Sequence, residues 1–175
     1  METADYRATA QDINKRIQNG RDYPFHGRAP EEYGQLISSL VHLIHGDELQ
    51  YLGSSFFEND NENERHGDIL AFTNRLVIRA SITGGESSWA DGTFTAEAFA
   101  RADLTHMSVM SRHATFNREM SPWPGRYSVA LTYRSGVEVH LPASRYPVGT
   151  ESEDLDRLVP TLRADLAHMG SPQRA

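Results

Sequence analysis

The sequence predicts an α+β fold, in which an antiparallel sheet of about seven strands curls into a barrel behind a helical extension and is closed by a C-terminal helix. Three observations predict it. Apolar residues recur at the helical period near both ends of the chain. They alternate with period two through most of 48–141. Short turn signals, Gly84-Gly85, Asp91-Gly92 and Ser135-Gly136, divide the alternating stretch into strands. A single domain of 175 residues buries about 70% of the surface its unfolded chain exposes, enough for a core without disulfides or a structural metal.

Taken in order, Thr9 to Asn19 reads as a short helix. Thr9 and Asp12 stand at capping-box spacing, Ile13 and Ile17 lie four apart, and Gly20 stops it. Pro30 suits a first helical position, with Glu31 and Glu32 on the positive end of the helix dipole. Behind it Tyr33, Leu36, Ile37, Leu40, Val41 and Ile44 form one apolar stripe, and Gly46 ends the helix. This helix is expected to pack on the barrel or, instead, to offer a dimer surface. Strands follow at Glu48 to Phe57, Asp68 to Thr73, Leu76 to Thr83, Thr93 to Phe99 and Asp103 to Met110. A hairpin around Ser135-Gly136 joins Tyr127–Arg134 to Val137–Leu141. Glu151 to Met169 closes the fold as an amphipathic helix, capped by Ser152, whose Pro160 removes one backbone donor. The division is therefore 1–46 as helical extension, 47–170 as barrel with closing helix, and 171–175 as a disordered tail.

Composition excludes several classes. There is no Cys, which removes disulfides, thiolate nucleophiles and Cys-ligated metals. No apolar run reaches the length of a membrane span, and Glu2, Asp5 and Asp12 occupy the place where a signal peptide would be basic and then apolar, so a soluble, cytoplasmic protein is expected. The net charge of -7 argues against nucleic acid as a partner. Sixteen Arg to one Lys points to a GC-rich bacterial source.

Gly67-Asp68-Ile69-Leu70-Ala71-Phe72-Thr73-Asn74-Arg75-Leu76-Val77-Ile78-Arg79 resembles the second and third strands of bacterial PH-like domains, and seven strands followed by a helix is the order of that family. The resemblance spans Glu48 to Met169. It implies a non-enzymatic scaffold that binds lipid headgroups, peptides or partner domains. The family's lipid-binding members carry Lys and Arg between the first two strands. Here the corresponding loop, 58–66, holds Glu58, Asp60, Glu62 and Glu64 against Arg65, a charge pattern that repels phosphate. No phosphoinositide binding at the usual site and no binding to anionic vesicles is expected. The same loop lacks the glycine and the twelfth-position Glu of a calcium loop and reads as a solvated hairpin tip.

The candidates for chemistry are few. His42 and His45 stand one helical turn apart beside Asp47, a spacing that would suit a metal-dependent hydrolase, and His66-Gly67-Asp68 repeats the His-Gly-Asp tripeptide. The bland reading, solvent-facing histidines before a helix exit, is preferred, and no cofactor or metal is expected. Nucleophile elbows, phosphate loops and zinc-protease motifs are absent from the sequence. The one Lys, Lys15, lies in the first helix, and Glu151 and Glu153 belong to a helix start.

Charge is unevenly spread. Residues 101–145 hold six Arg and three acids, whereas 47–68 hold seven acids and one Arg. In the basic stretch, Arg112, Arg118 and Arg126 flank Trp123, held between Pro122 and Pro124, a composition suited to a protein-binding hot spot, and Trp89 is weighed with it. The expectation is a non-enzymatic adaptor that recognises a protein partner through Trp123, Arg112, Arg118, Arg126 and Trp89. The first alternative is a small acidic immunity or inhibitor protein that neutralises a basic partner with Glu58, Asp60, Glu62 and Glu64. The second is the hydrolase built on His42, His45 and Asp47.

Overall fold

The computed structural model describes residues 3–20, 22–25, 29–59, 64–84, 88–89, 92–111, 127–145, 147 and 149–169. Three helices and seven strands are present among them: α1 (Thr3–Gln18), α2 (Glu31–Ile44), β1 (Leu49–Asn59), β2 (Glu64–Thr73), β3 (Leu76–Thr83), β4 (Thr93–Ala100), β5 (Leu104–Ser111), β6 (Tyr127–Tyr133), β7 (Glu138–Leu141) and α3 (Thr150–Met169). The expected disordered tail, 171–175, lies outside the described residues.

All three helix starts differ from the sequence expectation, and in α3, which begins at Thr150, Ser152 lies inside the helix and is not its cap. Thr9 does not cap α1. It sits inside the helix, and its hydroxyl donates to the Asp5 carbonyl one turn back at 2.9 Å. Pro30 stands one position outside α2, with an extended backbone at ψ 160°. The end of α2 is shared by two residues, His45 in the left-handed region (φ 35°) and Gly46 (φ 80°), and the His45 N–H donates to the Val41 carbonyl at 3.0 Å. Pro160 is exposed within α3 and does not end it. No helix among the described residues is long and apolar enough to cross a membrane.

The strands form two antiparallel sheets, β1-β2-β3-β4 and β5-β6-β7, and not one closed barrel. The ladder breaks where β4 runs into a single 3-10 turn, Arg101–Asp103, before β5. Between β7 and β1 the seam is held by side chains instead of a ladder. The Ala143 N–H donates to the Tyr51 hydroxyl (2.8 Å), which donates to Glu151 Oε1 (2.6 Å). The Ser144 N–H reaches the same carboxylate oxygen at 3.1 Å, and the Ser144 hydroxyl donates to the Ser54 carbonyl at 2.8 Å. Gly53 is required here, because a Cβ would collide with the Glu151 carboxylate and the Tyr51 hydroxyl.

The four-stranded sheet contributes to the core from both faces. On the outer face Leu52, Ile69, Ala71, Ile78, Ala80 and Ile82 meet Ile13 and Ile17 of α1 and the whole apolar stripe of α2. The α2 stripe is therefore used within the chain. On the inner face Tyr51, Leu70, Phe72 and Val77 meet the second sheet together with Leu155, Leu158 and Leu162 of α3. Arg101, 3% exposed, ties the inner layers together. Its guanidinium donates to Asp165 (2.7 Å), Thr161 (2.9 Å), Gln50 (2.5 Å) and the Thr73 carbonyl (2.7 Å).

Candidate functional site

Cross-strand register sets the side chains of the four-stranded sheet in rows. On the inner face, the rows beyond Tyr51, Phe72, Val77 and Phe99 turn polar: Gly53-Leu70-Arg79-Glu97, then Ser55-Asp68-Ser81-Thr95, then Phe57-His66-Thr83-Thr93. The second sheet is smaller, β7 having only four residues, and it leaves this end of the inner face uncovered. On the opposite face Leu52, Ile69, Ala71, Ile78, Ala80 and Ile82 are buried under the helices. One phase of the alternation therefore supplies core in β2 and β3, and the other phase changes from core to an open polar surface, with Phe57 49% exposed at its end.

Asp68 organises this surface. Its carboxylate accepts the Ser81 hydroxyl at 2.5 Å, meets His66 Nε2 at 2.8 Å and faces the Arg79 guanidinium at 3.5 Å. A serine, a histidine and an aspartate thus stand together, but with the carboxylate in the middle. Ser81 gives its proton to Asp68, and the imidazole has no contact with the hydroxyl, so the arrangement holds charges in place and does not relay a proton from serine to histidine. Beside it a groove of about 260 Å³ runs between the two sheets, lined by Ser55, Asp68, Leu70, Arg79, Glu138 and His140 among others. Its other wall is β7, which among the described residues is hydrogen-bonded only to β6, on one side. Glu97, Glu138 and His140 have no side-chain partner among the described residues.

The residues singled out in the sequence fall differently. Trp123, Arg112, Arg118 and Arg126 lie outside the described residues, as do Asp60 and Glu62. Trp89 corrects the expectation of a partner-facing aromatic. It is 8% exposed, with its ring edge-on to Phe25 (5.5 Å) and Phe56 (6.0 Å), because the outer apolar face needs a large side chain at that edge of the sheet. Glu58 is engaged by Arg65 Nε at 2.7 Å, and Glu64 opens β2 opposite Asn59, so the acidic hairpin is shorter than the 58–66 loop expected. His42, His45 and Asp47 are not brought together as ligands. The Tyr6 ring packs on His42, the Tyr6 hydroxyl meets His45 Nδ1 at 2.9 Å, and Asp47 holds Arg75 at 2.6 Å and accepts the Thr73 hydroxyl at 3.1 Å. The hydrogen bond from Arg75 keeps the Asp47 carboxyl below the usual carboxylate range. Among the described residues no three His, Asp or Glu side chains form a group able to hold a metal ion.

Sequence reasoning noticed His66-Gly67-Asp68 but passed over Arg79 and Ser81. The signal available was the phase of the alternation. In β2 and β3 one phase, Ile69 and Ala71 with Ile78, Ala80 and Ile82, stays apolar while the other, His66 and Asp68 with Arg79, Ser81 and Thr83, becomes polar at the same register level. No family model matches this chain, and no curated protein or solved structure is similar to it.

Proposed function

We propose that this chain is a non-enzymatic adaptor of PH-like architecture, acting in the cytoplasm, that recognises a protein partner at the groove between β7 and the polar end of the four-stranded sheet. The observation that carries the reading is the groove itself: a strand edge paired on one side only among the described residues, bearing the unpaired Glu138 and facing the Asp68–Arg79 pair across a floor that includes Leu70 and Val139. Surfaces of this make-up, an apolar centre with a charged rim, suit a protein segment better than a small metabolite. The PH-like assignment is supported by the 67–79 phrase, which forms the β2–β3 hairpin, and by seven strands followed by one long helix. The groove is favoured over the acidic hairpin because Glu58 there is already neutralised by Arg65.

The test is site-specific photo-crosslinking in the native cell, with a benzophenone side chain at Ser55 or His140 in the groove and at Gln35 on the exposed side of α2 as control. Adducts to one and the same protein from both groove positions, and not from Gln35, are expected. No adduct from the groove, or equal adducts from all three positions, would contradict the reading.

A further inference from the structure

We infer that the segment this groove accepts is an extended, basic strand that pairs with the free edge of β7. The inference rests on the proposed protein-binding role and adds to it the backbone mode and the charge of the partner.

The backbone comes first. Among the described residues β7 is the last strand of its sheet, and only its side towards β6 is occupied by ladder hydrogen bonds. The seam that would otherwise cover the outer side is closed at one end only, by Ser144 on Ser54 and Ala143 on Tyr51, and it opens into the groove at Ser55. An unpaired edge beside a groove presents N–H and C=O groups that an added strand satisfies, while alternate side chains of that strand drop into the groove. Leu70 and Val139 give an apolar side chain somewhere to sit, and the next side chain on the same face lies roughly 7 Å further along.

The charge comes second. Asp68 and Glu138 line the groove, Glu97 stands next to Arg79 one strand further out, and Arg79, the one Lys or Arg among the described residues that line the groove, already faces Asp68 at 3.5 Å. Glu97 and Glu138 are exposed and unpaired among the described residues, so they are the charges an incoming strand meets. The whole chain carries -7, and the acidic β1–β2 hairpin extends from the same end of the sheet. Such a field draws in a cationic segment and repels phosphate. A Lys or Arg two positions from an apolar residue is the pattern that satisfies both the floor and the rim.

The experiment pans a phage-displayed random heptapeptide library against the full chain. Recovered peptides are resynthesised and titrated by fluorescence anisotropy against the wild type and the Glu97→Lys/Glu138→Lys variant. Both sites are exposed, and circular dichroism checks that the variant is folded. Peptides with Lys or Arg alternating with apolar residues are expected, bound about tenfold or more weakly by the variant and more weakly still as salt rises. Peptides without basic residues that still compete for the groove overturn the basic-strand inference and leave the protein-binding reading intact. Peptides bound equally by the wild type and the variant, or no peptides at all, count against both.

Discussion

The two faces of the β1–β4 sheet are buried by different means. Under α1 and α2 the interface is built from aliphatic and aromatic side chains, Ile13, Ile17, Leu36, Leu40 and Ile44 against Ile69, Ile78 and Ile82, with Phe25 and Trp89 at its edge. Under α3 the leucines are accompanied by buried polar groups. Arg101 bonds to Asp165, Thr161, Gln50 and a β2 carbonyl, Glu151 receives Tyr51, and Asp154 is shared by Arg16 of α1 and Arg157. Aliphatic burial is tolerant of position, whereas a buried guanidinium with four partners is satisfied at only one setting of α3. The side of the sheet that carries the groove is thus the side where the layers are held in one register.

Substitutions sharpen this contrast. Arg101→Ala should lose the most, about 3–5 kcal/mol by urea unfolding, because Asp165, Gln50 and the Thr73 carbonyl lose their donor together. Replacing Arg101 and Asp165 together by apolar residues of similar volume should recover most of that loss, and a failure to recover it would remove the claim that unpaired partners are the cost. On the other face, Leu40→Ala should cost about 2–5 kcal/mol, set by the cavity it leaves. Tyr51→Phe should cost about 1–3 kcal/mol, since Glu151 and the Ala143 N–H lose a partner in a buried place.

Alkali acts on both faces at once. Burial raises the hydroxyl pKa values of Tyr33 on the helix side and of Tyr51 and Tyr133 on the inner side, with Glu151 adding to the shift at Tyr51. A folded pKa above the unfolded value of about 10 means that this contribution is fully present below that pH and is lost as pH rises through the folded values. Stability followed by urea midpoint should therefore hold below about pH 10 and fall above it, with the phenolate absorbance of Tyr33, Tyr51 and Tyr133 appearing only as the protein unfolds. The smallest effect belongs to the groove rim. Glu138→Lys should change stability by no more than about 0.5 kcal/mol, because the side chain is exposed and unpaired among the described residues.

Much of the fold was legible in the sequence. The α2 stripe and the period-two runs depend on local spacing, and every strand expected from them is found. Arg101 was not legible, because its partners stand 28 to 64 residues away and nothing in its neighbourhood separates a buried guanidinium from a surface one. Trp89, in a run of small polar residues, reads as a loop aromatic until the outer core is seen to need it. Barrel closure failed for a related reason. Alternation reports which face of a strand is apolar, but not whether the last strand pairs with the first or is tied to it by Tyr51, Glu151 and Ser144. The site was half legible, since His66 and Asp68 drew notice as a tripeptide, while Arg79 and Ser81 join them only through the β2–β3 register.

The proposed partner strand docks on the free edge of β7. Amide hydrogen exchange of the chain, alone and with a groove-selected peptide, tests it most directly. New protection confined to Glu138–Leu141 and to the facing residues of β1 and β2 is the result expected. Protection confined to α1 and α2 or to the β1–β2 hairpin, with β7 exchanging as before, would contradict it.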